Sequence, residues 1–391
     1  MITRLLPAIL LTLLIPDLYI CLGKRGRRPP LSLWLPLAFT DLTLLAAAGL
    51  LATNETFTPG NLDTIGIFIV AYMCIALPKT AYMLVSLCIR GIALCYKPIG
   101  QWTTPLALIA LTVTLGCIIY GTLAGPRRLS ITHTDIASQR LPTAFDGYRI
   151  VQFSDVHLAS FRHHPEALAH ICHAINNQDP DLIVFTGDLV NIDVGEMQGF
   201  THMLSQLKAT DGVYSILGNH DYHHYARFLS SRGQAEHLEQ LKETQAYMGW
   251  KLLLNSHDIL RRGADSIVLA GVENDGKPPF PQRGDLRRAL AGTCQEGEAA
   301  PYTILLSHDP SHWRSKVLTQ TGVDLTLSGH THGMQFMVGG WSPSAWFYPE
   351  WRGVYRQGQQ SLHVSLGVGG ALIPFRFGAW PEINVITLHH Q

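Results

Sequence analysis

Charge is scarce in this chain: 15% of its 391 residues are Asp, Glu, Lys or Arg, and the formal net charge is zero. Proteins that bind nucleic acid carry a concentrated positive footprint, and this balance argues against such a partner. Cysteine is sparse too, and no Cys-x-x-Cys occurs among the seven. Cys21, Cys74, Cys88, Cys95 and Cys117 lie in or beside long apolar runs, where they pack as small apolar side chains. Cys172 and Cys294 are left, and whether they meet stays open, so redox compartment cannot be read from cysteine. No internal repeat or low-complexity tract stands out. Histidine is missing from the first third of the chain: all 19 lie at or after His133. Whatever chemistry imidazole performs here belongs to the later part.

The part without histidine is apolar. Four segments approach the roughly 20 residues that cross a bilayer: Leu5–Leu22, Leu31–Ala52, Ile65–Cys88 and Thr104–Leu123. The first has no small-residue cleavage site and is followed by Lys24, Arg25, Arg27 and Arg28, so it reads as a retained helix. The third contains Pro78 and Lys79 but is too short if split there, which predicts one kinked or tilted helix. Asp41 and Lys79 fall at similar depth and are expected to pair, because an isolated charge in a bilayer is costly. Lys24, Arg25, Arg27, Arg28, Arg90 and Lys97 flank the first and third connections, against Arg4, Arg127 and Arg128 on the other side. By the positive-inside rule both chain ends, and the region after the last helix, lie outside the cytoplasm. Residues 1–124 thus read as a multi-pass membrane domain of a cell-membrane protein. Residues 125–147, with Pro126, Pro142 and Gly147, read as a tether, and residues 148–391 as a soluble domain.

In the soluble part, short apolar runs alternate with helical patterns at Pro165–Asn176, Glu196–Leu207, Gln234–Met248 and Ser311–Thr319. The runs are Tyr148–Phe153, Leu182–Phe185, Val213–Leu217, Ile304–Leu306 and Val323–Leu327, which predicts a largely buried parallel sheet. A polar cluster follows each run: Asp155-Val156-His157, Gly187-Asp188, Gly218-Asn219-His220-Asp221, His308, and Gly329-His330-Thr331-His332. Ligands of such sheets collect at the carboxyl ends of the strands. Carboxylates, imidazoles and one amide delivered to a common rim read as a metal site for Mn, Fe or Zn. The donors are too many for one tetrahedral ion. Two divalent ions sharing a bridging carboxylate fit them, an arrangement that clamps a phosphoryl group and acidifies a bound water.

These clusters, in this order, resemble the calcineurin-like metallophosphoesterases. The resemblance implies an α/β domain of two stacked β-sheets flanked by helices, placed after all-α transmembrane helices. It implies that Asp155, His157 and His332 hold one metal, that Asp188 bridges, and that Asn219, His308 and His330 hold the other. His220 would contact the reacting phosphate and protonate the leaving oxygen or stabilise its charge. Asp221 supports its neighbourhood or caps the next helix, and His223 and His224 are candidates for touching substrate. Past the last cluster, Gly329–Gln335, Trp351–Tyr355, Val364–Gly370 and Pro374–Pro381 resemble the bacterial membrane-associated branch, over roughly Gly147 to Leu388. Met334 departs from that pattern, where many relatives carry a second glycine.

Six aromatics fall between Phe336 and Trp351: Phe336, Trp341, Trp346, Phe347, Tyr348 and Trp351. Trp and Tyr favour the membrane–water interface, so the stretch either meets lipid or packs as a satellite core. The expected activity is hydrolysis of a phosphoester, a phosphodiester or pyrophosphate bond in a phosphorylated lipid or glycolipid at the bilayer. Two other readings are a cytoplasm-facing hydrolase of a nucleotide-linked lipid of the UDP-diacylglucosamine type, and a non-catalytic scaffold on the same fold. A transporter is disfavoured by four short helices with few polar positions.

Overall fold

A backbone that leaves water must satisfy its own N–H and C=O groups, and an uninterrupted apolar run does so as a helix. The computed structural model, which describes all residues except 1, 23–30, 54–58, 227, 229 and 295–299, shows α1 (Ile2–Leu22), α2 (Leu31–Thr53), α3 (Pro59–Cys95) and α4 (Thr103–Leu123). Among the described residues, three helical stretches are long and apolar enough to cross a membrane: Trp34–Thr53, Asn61–Cys95 and Lys97–Leu123. The apolar stretch of α1, Leu6–Leu22, is shorter. Pro78 lies inside α3 without dividing it. The chain is a membrane protein by these helices. Lys24–Arg28, and most of the loop after Thr53, lie outside the described residues.

Within this first unit, Met1–Ala124, Ile9, Leu13, Leu44, Ala48, Phe68 and Ala76 form a small core. Large apolar side chains such as Phe39, Leu50 and Ile67 stand outward, as on a surface that lipid covers. Lys79 Nζ lies 2.8 Å from Asp41 Oδ1, so the expected pair is present. Asp17 of α1 joins it, with Oδ1 2.7 Å from the same nitrogen. One lysine therefore ties three helices through two carboxylates.

The second unit, Gly125–Gln391, holds two six-stranded sheets. The first has the order β1 (Ser130–Ser138), β12 (Glu382–His390), β2 (Tyr148–Phe153), β3 (Leu182–Phe185), β4 (Val213–Ser215), β5 (Trp250–Leu252). The second runs β10 (Gly353–Gln357), β11 (Gln360–Val364), β9 (Leu325–Ser328), β8 (Thr303–Leu306), β7 (Asp265–Gly271), β6 (Ser256–Arg262). Neighbours from β2 to β5 run parallel, as do those from β7 through β8 and β9 to β11. Strands β6 and β10 are antiparallel edges, and β12 runs antiparallel to β2. Both sheets are thus mixed rather than purely parallel.

The period of two along each strand builds the layers. Ile150, Leu182, Val184, Tyr214, Ile304, Leu306, Leu325 and Leu327 meet between the sheets. Their neighbours Val151, Phe153, Ile183 and Phe185 face the other way, toward α5 (Pro165–Asn176) and α7 (Ser231–Tyr247), with α6 (Thr201–Leu204) between these in sequence. The outer face of the second sheet buries Val268, Leu305, Trp313 and Val317. This is the expected two-sheet sandwich flanked by helices. One expectation fails: residues 125–147 are not a free tether. They contain β1, paired in parallel along its length with β12 from the far end of the chain. An edge strand exposed on one face, with Ile136 its one fully buried residue, has no apolar run to announce it. Glu196–Leu207 forms a 3-10 turn, Val194–Met197, and the short α6 rather than one helix.

Candidate metal centre

Every donor cluster follows the carboxyl end of a strand: β2 leads to Asp155 and His157, β3 to Asp188, β4 to Asn219 and His220, β8 to His308, β9 to His330 and His332. The chain leaves these strands in tight reversals, and five donors occupy left-handed backbone: Asp155, His157, Asp188, His330 and His332, with φ between 46° and 75°. Each such residue costs on the order of 1–3 kcal/mol and persists where its surroundings over-determine it, typically at functional sites. The motif glycines follow from close approach. A Cβ on Gly218 would stand 2.2 Å from Asp188 Oδ1, and one on Gly329 would stand 1.9 Å from Ser154 Oγ.

Long-range packing brings the donors into two groups. In one, His157 Nε2 and His332 Nε2 are 3.0 Å apart, and His332 Nε2 is 3.3 Å from Asp155 Oδ1. In the other, His308 Nε2 lies 3.2 Å from Asn219 Oδ1 and 3.3 Å from His330 Nδ1. Asp188 Oδ2 stands between them, 3.7 Å from His157 Nε2 and 3.2 Å from His308 Nε2. Imidazole nitrogens and carboxylate oxygens aimed at common points, fully buried, are what a divalent cation needs and what neutral packing avoids. His308 is oriented as a ligand would be. Its Nδ1 donates to Thr186 O at 2.7 Å, which turns Nε2 toward the site. The donor set fits divalent metal. The groupings Asp155–His157–His332, Asp188–His308–His330 and, at the rim, His157–Asp188–His220 could each hold an ion.

Electrostatics divide the donors. Burial pushes His157 down to about 3 and holds His332 well below the usual histidine range, so both present neutral imidazole. Burial, opposed by His308, raises Asp155 to about 6. Burial also opposes charge on Asp188 and His308, but each stabilises the other: Asp188 stays well below the carboxylate range and His308 rises to about 10.

His220 lies at the rim. Its Nδ1 donates to Asn191 O at 2.7 Å and its backbone N–H to Asp188 Oδ1 at 2.8 Å, so Nε2 is the atom left for chemistry. Asp221 is no donor to the centre. It accepts N–H bonds from Asp188, Leu189, Val190 and Gly218, stapling the second and third clusters together. His223 is buried against Phe228 and His237, and His224 is exposed beside Tyr222, so neither joins the donor groups. Three participants lie outside the strand-end clusters. Tyr348 Oη lies 2.8 Å from His330 Nε2, Tyr225 Oη accepts from Asn219 Nδ2 at 3.0 Å, and buried Arg376 places Nη2 3.1 Å from His332 Nδ1. Arg376 also donates to the carbonyls of Leu366, Gly369 and Ala379. Its one sequence signal is a lone charge within the apolar Pro374–Trp380.

Over this floor opens a cleft of about 510 Å³, walled by Lys277, Phe280, Met334, Phe347 and Tyr348 among others. The aromatic run splits. Tyr348 and Trp351 pack inward with Met337 and Leu366, whereas Trp341, Trp346 and Phe347 stay exposed.

Residues 148–334 match the family model of the calcineurin-like phosphoesterase domain. The chain is 32% identical over 279 residues to YkuE, an uncharacterised metallophosphoesterase of Bacillus subtilis, spanning 69% of this chain and 88% of that protein. It is 30% identical over 296 residues to a transmembrane protein with metallophosphoesterase domain from Danio rerio (72% of this chain, 62% of that protein). A Bos taurus protein of the same description is 27% identical over 345 residues, covering 82% and 73% of the two chains. With its donor clusters on the rim of a two-sheet sandwich, the chain belongs to the calcineurin-like metallophosphoesterases and is a phosphoester hydrolase.

Proposed function

We propose that this enzyme hydrolyses a phosphodiester or pyrophosphate bond in a phosphorylated, lipid-like amphiphile at the bilayer surface, as a multi-pass cell-membrane protein whose catalytic unit lies outside the cytoplasm. The observation that carries the lipid reading is the mouth of the cleft. Met334 and Phe347 line it and are 51% and 61% exposed, and Trp346, next to Phe347 in the chain, is 73% exposed, an apolar rim beside a polar floor. A soluble head group gains nothing from such a rim, whereas an acyl or prenyl chain does. The apolar helices of the same chain support a lipid bilayer as its partner, and nothing in its charge supports nucleic acid.

In this reading Asp155, His157 and His332 hold one divalent ion, Asn219, His308 and His330 a second, and Asp188 both. Bound there, Mn, Fe or Zn would supply positive charge for phosphoryl oxygens and acidify a water. His220, fixed through Nδ1, offers Nε2 to the reacting phosphate and to the leaving oxygen. Tyr348 and Tyr225 hold the ring of His330 and the amide of Asn219 in place, and Arg376 does so for His332.

The test compares a long-chain phospholipid or lipid pyrophosphate in mixed micelles with its water-soluble head-group analogue. Replacing both Trp346 and Phe347 by Ser should lower turnover of the first about tenfold while sparing the second, consistent with losing the burial of a few methylene groups. Equal losses on both substrates, or none on either, would return the rim to a structural role.

A further inference from the structure

Among the described residues lining the cleft, Lys277 is the one lysine or arginine. Its place is set by Tyr348. That side chain puts its hydroxyl 2.8 Å from His330 Nε2, and its ring centroid 5.4 Å from the His330 ring. The Lys277 ammonium lies over the same ring, 5.7 Å from its centroid, and 3.5 Å from Phe347 O. The Lys277 ammonium and the His330 ring thus both lie against Tyr348, which puts the cation beside the metal-type floor in the same cleft. The loop that presents it is anchored: Gly276 N–H donates to Pro281 O at 3.2 Å, Phe280 N–H to Lys277 O at 3.0 Å, and Lys316 Nζ to Asp275 Oδ2 at 2.6 Å. Among the described residues no carboxylate pairs with Lys277, so its charge faces the cleft without a neutralising partner.

We propose that Lys277 binds a second phosphate of the substrate, so that the cleft selects a diphosphate-linked molecule whose scissile phosphorus sits on the floor and whose next phosphate meets the Lys277 ammonium. This rests on the phosphoester-hydrolase reading of the same cleft and narrows it. An ammonium is a compact charge suited to phosphate oxygens, and this one borders a cleft also walled by Phe280, Phe347 and Met334. The chemistry balances. The oxygen of water bonds to the phosphorus on the floor, the bond from that phosphorus to the bridging oxygen breaks, and the bridging oxygen keeps the electron pair. Two phosphomonoesters result, with the protons of water on the products or in solvent. The second phosphate gains a negative charge as it leaves, which Lys277 is placed to stabilise.

Two readouts on the metal-loaded full-length protein test this. The first is the ratio of kcat/KM for symmetric dibutyl diphosphate to that for dibutyl phosphate. The second is the ratio of Kd values for methylphosphonate and methylenediphosphonate, measured calorimetrically without turnover. Lys277→Met should cut both preferences for two phosphorus centres by about 10–100-fold, the usual worth of a hydrogen bond to a charged group, and Lys277→Arg should restore most of each. Lys277 is exposed, so its replacement leaves the core intact. Unchanged ratios in Lys277→Met, with the wild type hydrolysing both esters, overturn the assignment of Lys277 and leave the hydrolase reading standing. A wild type that hydrolyses neither ester, yet shows the binding preference and its loss in Lys277→Met, overturns the hydrolase reading and leaves Lys277 as an anion site.

Discussion

At the scale of single residues, the centre separates groups that hold charge from groups that move protons. The Asp188 carboxylate reaches both donor groups, at 3.7 Å from His157 Nε2 and 3.2 Å from His308 Nε2. Asp188→Ala should therefore abolish turnover and lower the metal content of the purified protein, read by elemental analysis. His220 groups with His157 and Asp188 at the rim of the centre, but its Nδ1 is committed to Asn191 O. His220→Ala should keep the metal and lose about 10²–10⁴ in kcat, the usual span for general-acid assistance. If Asp188→Ala turns over a chromogenic phosphodiester at near the normal rate, the bridging role is wrong. Most of these residues can be picked from sequence because each stands within a few positions of its strand end. Arg376 cannot, since its role depends on carbonyls and on His332, which only the folded chain gathers.

Among elements, the lysine in α3 shows how packing revises a pairwise expectation. Depth alone predicts that Asp41 and Lys79 meet, and they do. Asp17 arrives as well because α1 packs against α3, a contact that no charge count predicts. With two carboxylates on one ammonium, the single changes are unequal. Asp41→Asn leaves Lys79 paired with Asp17 and should cost little. Lys79→Met leaves two carboxylates facing each other and should be the most damaging, on the order of 3–5 kcal/mol as for a broken buried pair. Adding Asp17→Asn and Asp41→Asn to Lys79→Met should recover much of the loss. Monodisperse yield and thermal stability in detergent measure this. A Lys79→Met protein as stable as Asp41→Asn would mean that the three side chains are solvated separately. Strand β1 carries the same lesson in the second unit, where a one-sided edge strand is invisible until its distant partner β12 is in place.

For the whole molecule, the orientation proposed from charge flanking the apolar helices would set which substrates the cleft meets. By the positive-inside rule, Arg90 and Lys97 near the end of α3 and the basic run after Leu22 favour the inside for those connections. Gly125–Gln391 is then expected outside the cytoplasm. Fusing to the carboxyl end a reporter that works only outside should give signal, and one that works only inside should not. The reverse outcome would turn the catalytic unit to the cytoplasm and favour a nucleotide-linked lipid over a surface lipid.

Sequence alone determined the apolar helices, the strand-end clusters, their order and the family they resemble. Each is written in short windows: a period of two for strands, an apolar run for helices, a few polar residues at a reversal. Tertiary structure decided which donors share a point in space. His332 meets Asp155 and His157 across most of the second unit, because β9 and β2 lie in facing sheets whose carboxyl ends open on one rim. It also decided that Asp221 staples loops, that His223 and His224 stand apart, and that Tyr348 turns inward while Trp346 and Phe347 stay exposed. A side chain's type limits what it can bind, but its partners come from chain brought near by the packing of whole sheets, and local pattern carries no record of that packing.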